Sequence, residues 1–539
     1  MTIPTLLEFA TSSHGTVPWR ELTKLLVKER AKCLRRNKNE THHTLDKQCE
    51  LETMTNRKML SRMMPPRYTW LRPNSRIRKD LREKTASARR LAEKALYMTI
   101  VRDRNRPTST HTGYLRELDT FCRRIVRRLE LGDLSFQSPE LTPLLKDKEP
   151  QPDGTLAVTC RPLSVYTRLE DKIILALVSR YLTRYFDRYL HPNILSYRRE
   201  RTFYGKQHYV TDFNDGIELI RAFREAHPGD NIYAADCDIK KFYDTIHHQV
   251  VRECFGRLFD KANFNGDGRK QVMQVLEAYL ASYNFYDNVW LAQQEHPEVF
   301  GKVRKRLHDR EDRNTYRCGW VDDILQQPED ERQRRGVSQG GALSLPIANI
   351  VLNDVDRELV AEQDPNRLFV RFCDDMILLH TDYDECCRLM QLYTRSLAAH
   401  QLYCHPSKQV TDCDRKGFWS IKSHDPFLWN EGEGNSNRYI GFLGFEMRRD
   451  GRIRLRKSNL ERIKEKFRRQ RYALFRQWEK DPFEDYLAHK EKTLSELVDN
   501  NLKHYKALDK DLFKQSDQYG HLNRIRKKTE RSLPRNPRD

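Results

Sequence analysis

Two adjacent carboxylates, Asp374 and Asp375, lie in the stretch Leu368-Phe-Val-Arg-Phe-Cys-Asp-Asp-Met-Ile-Leu-Leu-His380. The apolar runs Phe369 to Phe372 and Met376 to Leu379 read as short strands, so the pair falls where a hairpin would turn. Carboxylates held side by side repel, and a hard divalent cation with oxygen ligands is the simplest group to hold them. Asp is also an ordinary turn residue. A second pair, Asp322-Asp323 in Trp-Val-Asp-Asp-Ile-Leu, shows that adjacency alone proves nothing.

Three more carboxylates, Asp236, Asp238 and Asp244, fall within nine residues of Asn231-Ile-Tyr-Ala-Ala-Asp-Cys-Asp-Ile-Lys-Lys-Phe-Tyr-Asp-Thr-Ile246. Residues 232 to 239 read as a buried strand ending near Asp238, where a carboxylate is costly unless paired or bound to metal. Asp236 and Asp238 share a strand face, so strand geometry leaves both open. Arg335-Gly-Val-Ser-Gln-Gly-Gly-Ala-Leu-Ser-Leu-Pro-Ile-Ala-Asn349 is a glycine-rich loop entering an apolar helix, Ile347 to Leu359. Its glycines let backbone approach a bulky ligand, and Gln339 offers both a donor and an acceptor. Arg161, Arg168, Lys172 and Arg198 could meet phosphates as charge-assisted donors, although each alone is an ordinary surface charge.

These groups must be positioned by a mixed chain. With 539 residues it is long enough for several packed subdomains. Its net charge of +21 suggests a polyanionic partner. No apolar run is long enough for a membrane span, and the N-terminus lacks the pattern of a secretory signal. The twelve cysteines are scattered without Cys-x-x-Cys spacing. Cys386-Cys387, Cys404-His405 and Cys413 make no zinc pattern, and reduced cytoplasmic thiols are the expectation.

Residues 1 to about 150 read as helical and basic, with helical apolar spacing over Glu21 to Arg30. From Met54 to Arg90 there are twelve basic residues against two acidic ones, with Tyr68 and Trp70 interleaved. Basic side chains bind phosphates and aromatics stack on bases, so this tract suits single-stranded nucleic acid; a solvated face with two packing aromatics suits it equally. Lys148-Glu-Pro-Gln-Pro-Asp-Gly154 punctuates the chain and is taken as a boundary. Helical spacing recurs over Ile173 to Phe186 and Glu385 to Ala399. Residues 252 to 334 read as a long insert, and Lys408 starts a strand. Tyr439 to Met447 reads as a strand or tight hairpin, and Arg452-Ile-Arg-Leu-Arg456 alternates with period two. From Arg452 to Arg471 there are ten basic residues against two acidic ones, with an apolar stripe of Leu460, Ile463 and Phe467.

Taken in order, Arg-Pro-Leu (161–163), Ser-Tyr-Arg (196–198), Asp-Ile-Lys-Lys-Phe-Tyr-Asp (238–244), Gly-x-x-Gln-Gly (336–340), Phe-Cys-Asp-Asp (372–375), Lys408 and Phe-Leu-Gly-Phe (442–445) resemble the motifs of bacterial reverse transcriptases. The lineage is that of group II intron, retron and abortive-infection enzymes, and the resemblance covers about residues 155 to 475. It implies an α+β right-hand polymerase: fingers over 151–235, palm over 236–450 with the insert, and helical thumb and tail over 451–539, behind the basic N-terminal extension. It implies that Asp238, Asp374 and Asp375 hold two Mg²⁺ ions, or Mn²⁺, with the Ile239 carbonyl. Tyr243 then lies beneath the sugar, Gln339 beside the nascent pair and Lys408 near the triphosphate, while Arg161, Arg168 and Lys172 bind nucleotide. Arg198, Tyr68, Trp70, Arg452, Arg454 and Arg456 are the expected nucleic-acid contacts.

Two motifs depart from the usual pattern. Phe-Cys-Asp-Asp replaces Tyr/Phe-Ala-Asp-Asp, a small-for-small change, and Gln339-Gly-Gly-Ala-Leu-Ser-Leu-Pro346 displaces the usual proline by one. With no HNH-like Cys/His cluster after the thumb-like segment, the chain looks most like the "unknown group" enzymes associated with antiphage defence, often with a non-coding RNA. The implied partners are an RNA template, a DNA product and dNTPs; a homo-oligomer is compatible with the sequence. Rival readings are an intron maturase, a non-catalytic nucleic-acid-binding protein, and an RNA-dependent RNA polymerase. A bulky Tyr243 argues against the last, because it should exclude a 2′-hydroxyl.

Overall fold

The computed structural model describes residues 3–33, 47–72, 88–150, 156–198, 201–203, 206–208, 213–290, 334–410, 415–432, 434–457, 459 and 461. The N-terminal region is helical: α1 (Leu6–Thr11), α2 (Arg20–Cys33), α3 (Lys47–Arg62), α4 (Ala88–Asn105) and α5 (Ser109–Leu131). The Thr5 side chain accepts from the Glu8 amide while the Glu8 side chain accepts from the Thr5 amide, a reciprocal cap that starts α1. Leu22, Leu26, Leu96, Leu118 and Phe121 join one core cluster with Phe242, Phe255 and Leu378 from the middle of the chain. The basic N-terminal stretch is therefore built into the main core rather than appended to it.

Strands β1 (Glu140–Pro150) and β2 (Leu156–Val165) pair antiparallel, with Pro150 opposite Leu156. Strand β1 thus runs into the proline-rich segment at 148–154, of which residues 151–154 lie outside the described residues. Then come α6 (Leu169–Tyr185), the small hairpin of β3 (Arg201–Phe203) and β4 (Lys206–His208), and α7 (Phe213–Ala226). Arg180 on α6 donates to Glu21 on α2 at 2.9 Å, tying this region to the N-terminal helices.

The central sheet has the order β6-β7-β5-β8 and is antiparallel throughout. Its strands are β5 (Tyr233–Cys237), β6 (Arg367–Phe372), β7 (Asp375–His380) and β8 (His424–Leu428). Side chains alternate between two cores: Phe369, Met376 and Leu378 enter one, and Leu368, Val370, Ile377 and Leu379 the other. Burial on both faces is why these strands read as unbroken apolar runs. Each fully buried Leu or Ile contributes roughly 1.5–3 kcal/mol to that arrangement.

Helices α8 (Phe242–Thr245), α9 (His248–Lys261), α10 (Gly266–Ala281), α11 (Ser344–Leu359), α12 (Tyr383–Ala399) and α13 (Arg415–Ser420) complete this region. Phe255, Phe259, Val272 and Leu276 on α9 and α10 are core residues. The first part of the expected insert is thus integral to the fold, and its charged part, Lys302 to Arg313, lies outside the described residues. A second sheet, β11-β10-β9, contains β9 (Tyr439–Phe442), β10 (Phe445–Arg448) and β11 (Ile453–Leu455). Its first turn uses Leu443 at φ 51° and Gly444 at φ 84°, left-handed at both central positions, which suits a two-residue hairpin. The period-two reading of 452–456 corresponds to β11, and the expected helix after it lies almost wholly outside the described residues. Among the described residues, no helix is long and apolar enough to cross a membrane.

Candidate active site

The β6–β7 hairpin turns through Cys373 and Asp374, with Phe372 paired to Asp375. Cys373 sits at φ 59°, in the left-handed region. Its conformation is held from both sides. The Cys373 amide donates to Ser196 Oγ at 3.0 Å, and its carbonyl accepts from Arg371 Nη1 at 2.6 Å. Arg371 is fully buried and donates from Nε and Nη2 to both carboxylate oxygens of Asp356 on α11, at 2.7 to 3.0 Å. Burial pushes the Asp356 carboxyl up and the guanidinium pulls it back down. Asn349 donates to the Ser196 carbonyl at 2.9 Å, so α11 supports the turn twice.

The three carboxylates near β5 have different surroundings. Asp236 Oδ1 accepts from the His424 amide at 3.0 Å and lies 2.8 Å from His424 Nδ1. Asp244 Oδ1 accepts from Gln339 Nε2 at 2.7 Å. Asp238 follows the end of β5, where its amide donates to Ser423 Oγ and its carboxylate lies 3.8 Å from Lys422 Nζ. In the β5–β7 ladder Cys237 faces Met376, its last pair, so Asp238 follows directly on the side where Asp375 begins β7. Sequence alone left Asp236 and Asp238 open; in the fold His424 occupies the first and the second reaches the hairpin.

The Asp375 carboxyl is pushed up to about 7, first by the protein that crowds out water around it and then by the like charges of Asp374 and Asp238. The residue is nevertheless exposed to solvent. Solvent screens part of the desolvation there, and mutual repulsion is the more durable cause. Three mutually repelling carboxylates at an open sheet end are a donor set suited to hard divalent ions, so these residues fit such a metal.

The glycine-rich loop packs beside them. Gly336 donates to the Ile246 carbonyl at 2.7 Å, and Val337 to the Tyr243 carbonyl at 2.8 Å. Gly336 is at φ 93°, where an added Cβ would lie 2.8 Å from Phe285 Cβ, so glycine is required there. The loop delivers Gln339 to Asp244 and thereby next to Tyr243. The Tyr243 ring packs edge-on against Phe242 with centroids 5.2 Å apart. Its hydroxyl pKa is raised by burial first, then by Cys373 and Asp374, which places it beside the hairpin.

The remaining expected contacts divide. Ile239 bridges to Cys404, next to Asp238. Lys408 is exposed and bridges to His424 at the edge of β8. Arg168 is exposed at the N-cap of α6, and Lys172 is half-buried in its first turn. Arg161 lies on β2 opposite Leu144. Arg198 is a correction: it is buried, pairs with Asp187 at 2.6 Å and donates to the carbonyls of His191, Ile194 and Asp187, so it braces the chain internally instead of facing nucleic acid. Tyr68 is 89% exposed, whereas Trp70 packs on the core and donates to the Pro65 carbonyl at 2.9 Å. Arg452 is exposed. Arg454 ion-pairs with the buried Glu446 and lies 4.1 Å from the centre of the Tyr439 ring, so its charge is engaged within the protein. Arg456 covers Trp419 at 5.1 Å and lowers the Asp375 pKa, so it faces the carboxylates.

Sequence reasoning missed Lys422, Ser196 as a hydroxyl, and the Arg371–Asp356 pair. Only the last left a signal: an arginine inside an apolar strand must find a buried partner.

Residues 280–447 match the family model described as reverse transcriptase (RNA-dependent DNA polymerase). The chain therefore carries a segment that matches a reverse transcriptase domain, within a fold of mixed helix and sheet. Polymerases of this family use divalent metal ions. No curated protein matches the sequence. Among solved structures the chain is similar to telomerase of Candida albicans in complex with a TWJ fragment of telomeric RNA, at 14% identity and TM-score 0.30, covering 77% of this chain and 63% of that one. This chain thus spans less than two thirds of the Candida albicans protein. It is also similar to apo telomerase of Candida tropicalis, truncated from its C-terminal domain (11% identity, TM-score 0.33, covering 80% and 95%) and in a further structure (13%, 0.32, covering 86% and 73%).

Proposed function

We propose that this chain adds deoxynucleotides to a primer along an RNA template, that the template is a structured non-coding RNA, and that the DNA made serves antiphage defence. The observation that carries the polymerase chemistry is the closeness of Asp375 to the like charges of Asp374 and Asp238. Asp238, Asp374, Asp375 and the Ile239 carbonyl would hold two Mg²⁺ ions, whose charge would lower the primer hydroxyl's pKa and stabilise departing pyrophosphate. Tyr243 lies beneath the sugar and Gln339 steadies the nascent pair, with Asp244 fixing its amide. Lys408, Arg168, Lys172 and Arg161 draw in the triphosphate. Positioning and charge stabilisation then account for the catalysis.

The defence role and the RNA partner rest on the motif resemblance. The basic tracts at 54–90 and 452–471 supply the electrostatics an RNA partner needs. Sequencing of nucleic acid that copurifies with the chain, together with primer extension on that RNA, tests the proposal. Recovery of one defined RNA that templates dNTP incorporation is expected. A chain that extends primers on arbitrary RNA and copurifies with none in particular overturns the dedicated template, and unaltered phage resistance on deleting the gene overturns the defence role.

A further inference from the structure

Away from the catalytic carboxylates, Cys254 on α9, Asp354 on α11 and His400 at the end of α12 bring one sulfur, one oxygen and one nitrogen within 4.8 Å of one another. His400 is 9% exposed. Its Nδ1 lies 2.8 Å from the Ser396 carbonyl, which fixes the proton on Nδ1 and leaves the Nε2 lone pair free. That Nε2 is buried and has no hydrogen-bond partner. An imidazole whose one nitrogen is oriented by a backbone carbonyl, with the other unsatisfied and close to a thiol and a carboxylate, has the arrangement of a metal ligand.

We infer that Cys254, Asp354 and His400 form a zinc site, separate from the catalytic ions, that fastens α9, α11 and the end of α12 together behind the palm sheet. Sulfur, nitrogen and oxygen donors suit Zn²⁺, while Mg²⁺ takes neither thiolate nor imidazole readily. Three protein ligands and one water complete a tetrahedral shell. On binding, the Cys254 thiol gives its proton to solvent and a zinc–sulfur bond forms; thiolate and carboxylate together neutralise the ion. The thiol is otherwise pushed up to about 12 by burial and by Asp354, so without an ion it stays protonated. Arg257 spans the mouth of the site, donating to Asp354 Oδ2 at 2.7 Å and to Cys254 Sγ at 3.2 Å. Its side chain is 50% exposed, so it can withdraw into solvent as an ion enters.

The test uses the full chain, stripped with chelator, reloaded with zinc in excess Mg²⁺ to fill the catalytic carboxylates, and desalted before metal analysis. One zinc per chain is expected. Cys254→Ser and His400→Gln should each lose it while keeping the wild-type far-ultraviolet circular dichroism. Cobalt should give a thiolate charge-transfer band of single-thiolate intensity in the wild type and none in Cys254→Ser. Arg257→Gln, which removes the competing cation, should bind zinc about tenfold more tightly. A wild type that retains no zinc overturns the site, as does a folded Cys254→Ser with undiminished zinc. If Cys254→Ser does not fold, His400→Gln and Arg257→Gln decide: a cobalt band unchanged in the first, or zinc affinity unchanged in the second, overturns it.

Discussion

Arg371 and Asp356 make a bidentate pair with both side chains wholly excluded from solvent, and the same guanidinium donates to the Cys373 carbonyl in the β6–β7 turn. A buried charge left without its partner costs about 3–5 kcal/mol. Arg371→Met should therefore lower stability by about that much. Arg371→Lys keeps the charge but loses the fork, and should reduce incorporation at least tenfold by loosening Cys373 and hence Asp374. Denaturant melts and single-nucleotide incorporation on the two variants check this; a Lys variant with wild-type turnover would remove Arg371 from the positioning of the hairpin.

The carboxylates themselves predict opposite effects on stability and activity. The Asp375 pKa is raised above its unfolded value, so the folded state holds the proton more tightly. Without metal, stability is present at low pH and falls as pH rises from about 4 to about 7. Asp375→Asn should remove that repulsion, raise the melting temperature of the metal-free protein at pH 8, and abolish incorporation. Mg²⁺ should stabilise the wild type more than the variant, because only the wild type retains the full donor set. Calorimetric scans with and without Mg²⁺ measure both effects, and an Asn variant that still polymerises would defeat the assignment.

His248 gives a second pH dependence. Its Nε2 lies 2.8 Å from the Gly336 carbonyl, while Nδ1 is buried without a partner. Burial pushes its pKa down to about 4. A lowered folded pKa means stability is present above about 6.5 and is lost as pH falls towards 4, by about 3 kcal/mol in all. His248→Gln can keep the bond to Gly336 and should flatten this slope. Melts at pH 7 and pH 5 on both proteins test it: equal losses in the two would assign the acid sensitivity elsewhere.

Much of the local geometry of the candidate site was legible in the sequence because it consists of short runs with fixed chemistry. The apolar strands flanking Asp374 and Asp375 announced a hairpin, and the glycines around Gln339 announced a tight loop. Partnerships between distant segments were not legible. Nothing near Asp236 in the chain announces His424, nearly two hundred residues on, and Arg198 looks like any surface arginine until Asp187 closes over it. Pro150 reads as punctuation in the sequence, yet it pairs with Leu156 at the end of β1, a partnership that proline chemistry alone does not announce. Residues 252–281 read as an insert because their apolar spacing cannot show which core it joins.

Under the proposed function, the choice of sugar falls to Tyr243. Its position is intermediate between core and cleft: the ring packs against Phe242, while its hydroxyl lies near Cys373 and Asp374. Gln339 donates to the neighbouring Asp244 at 2.7 Å. If the ring floors the nucleotide pocket, a 2′-hydroxyl meets it and deoxynucleotides are preferred. Tyr243→Ala should then raise ribonucleotide over deoxynucleotide incorporation by roughly a hundredfold, the scale of a steric exclusion worth a few kcal/mol. Tyr243→Phe keeps the ring and should leave the ratio as it was. If Tyr243 serves only packing, Tyr243→Ala should lose stability and slow both sugars equally. Matched dNTP and NTP incorporation on folded variants separates the two outcomes, and an unchanged ratio in Tyr243→Ala would return the selectivity to some other side chain.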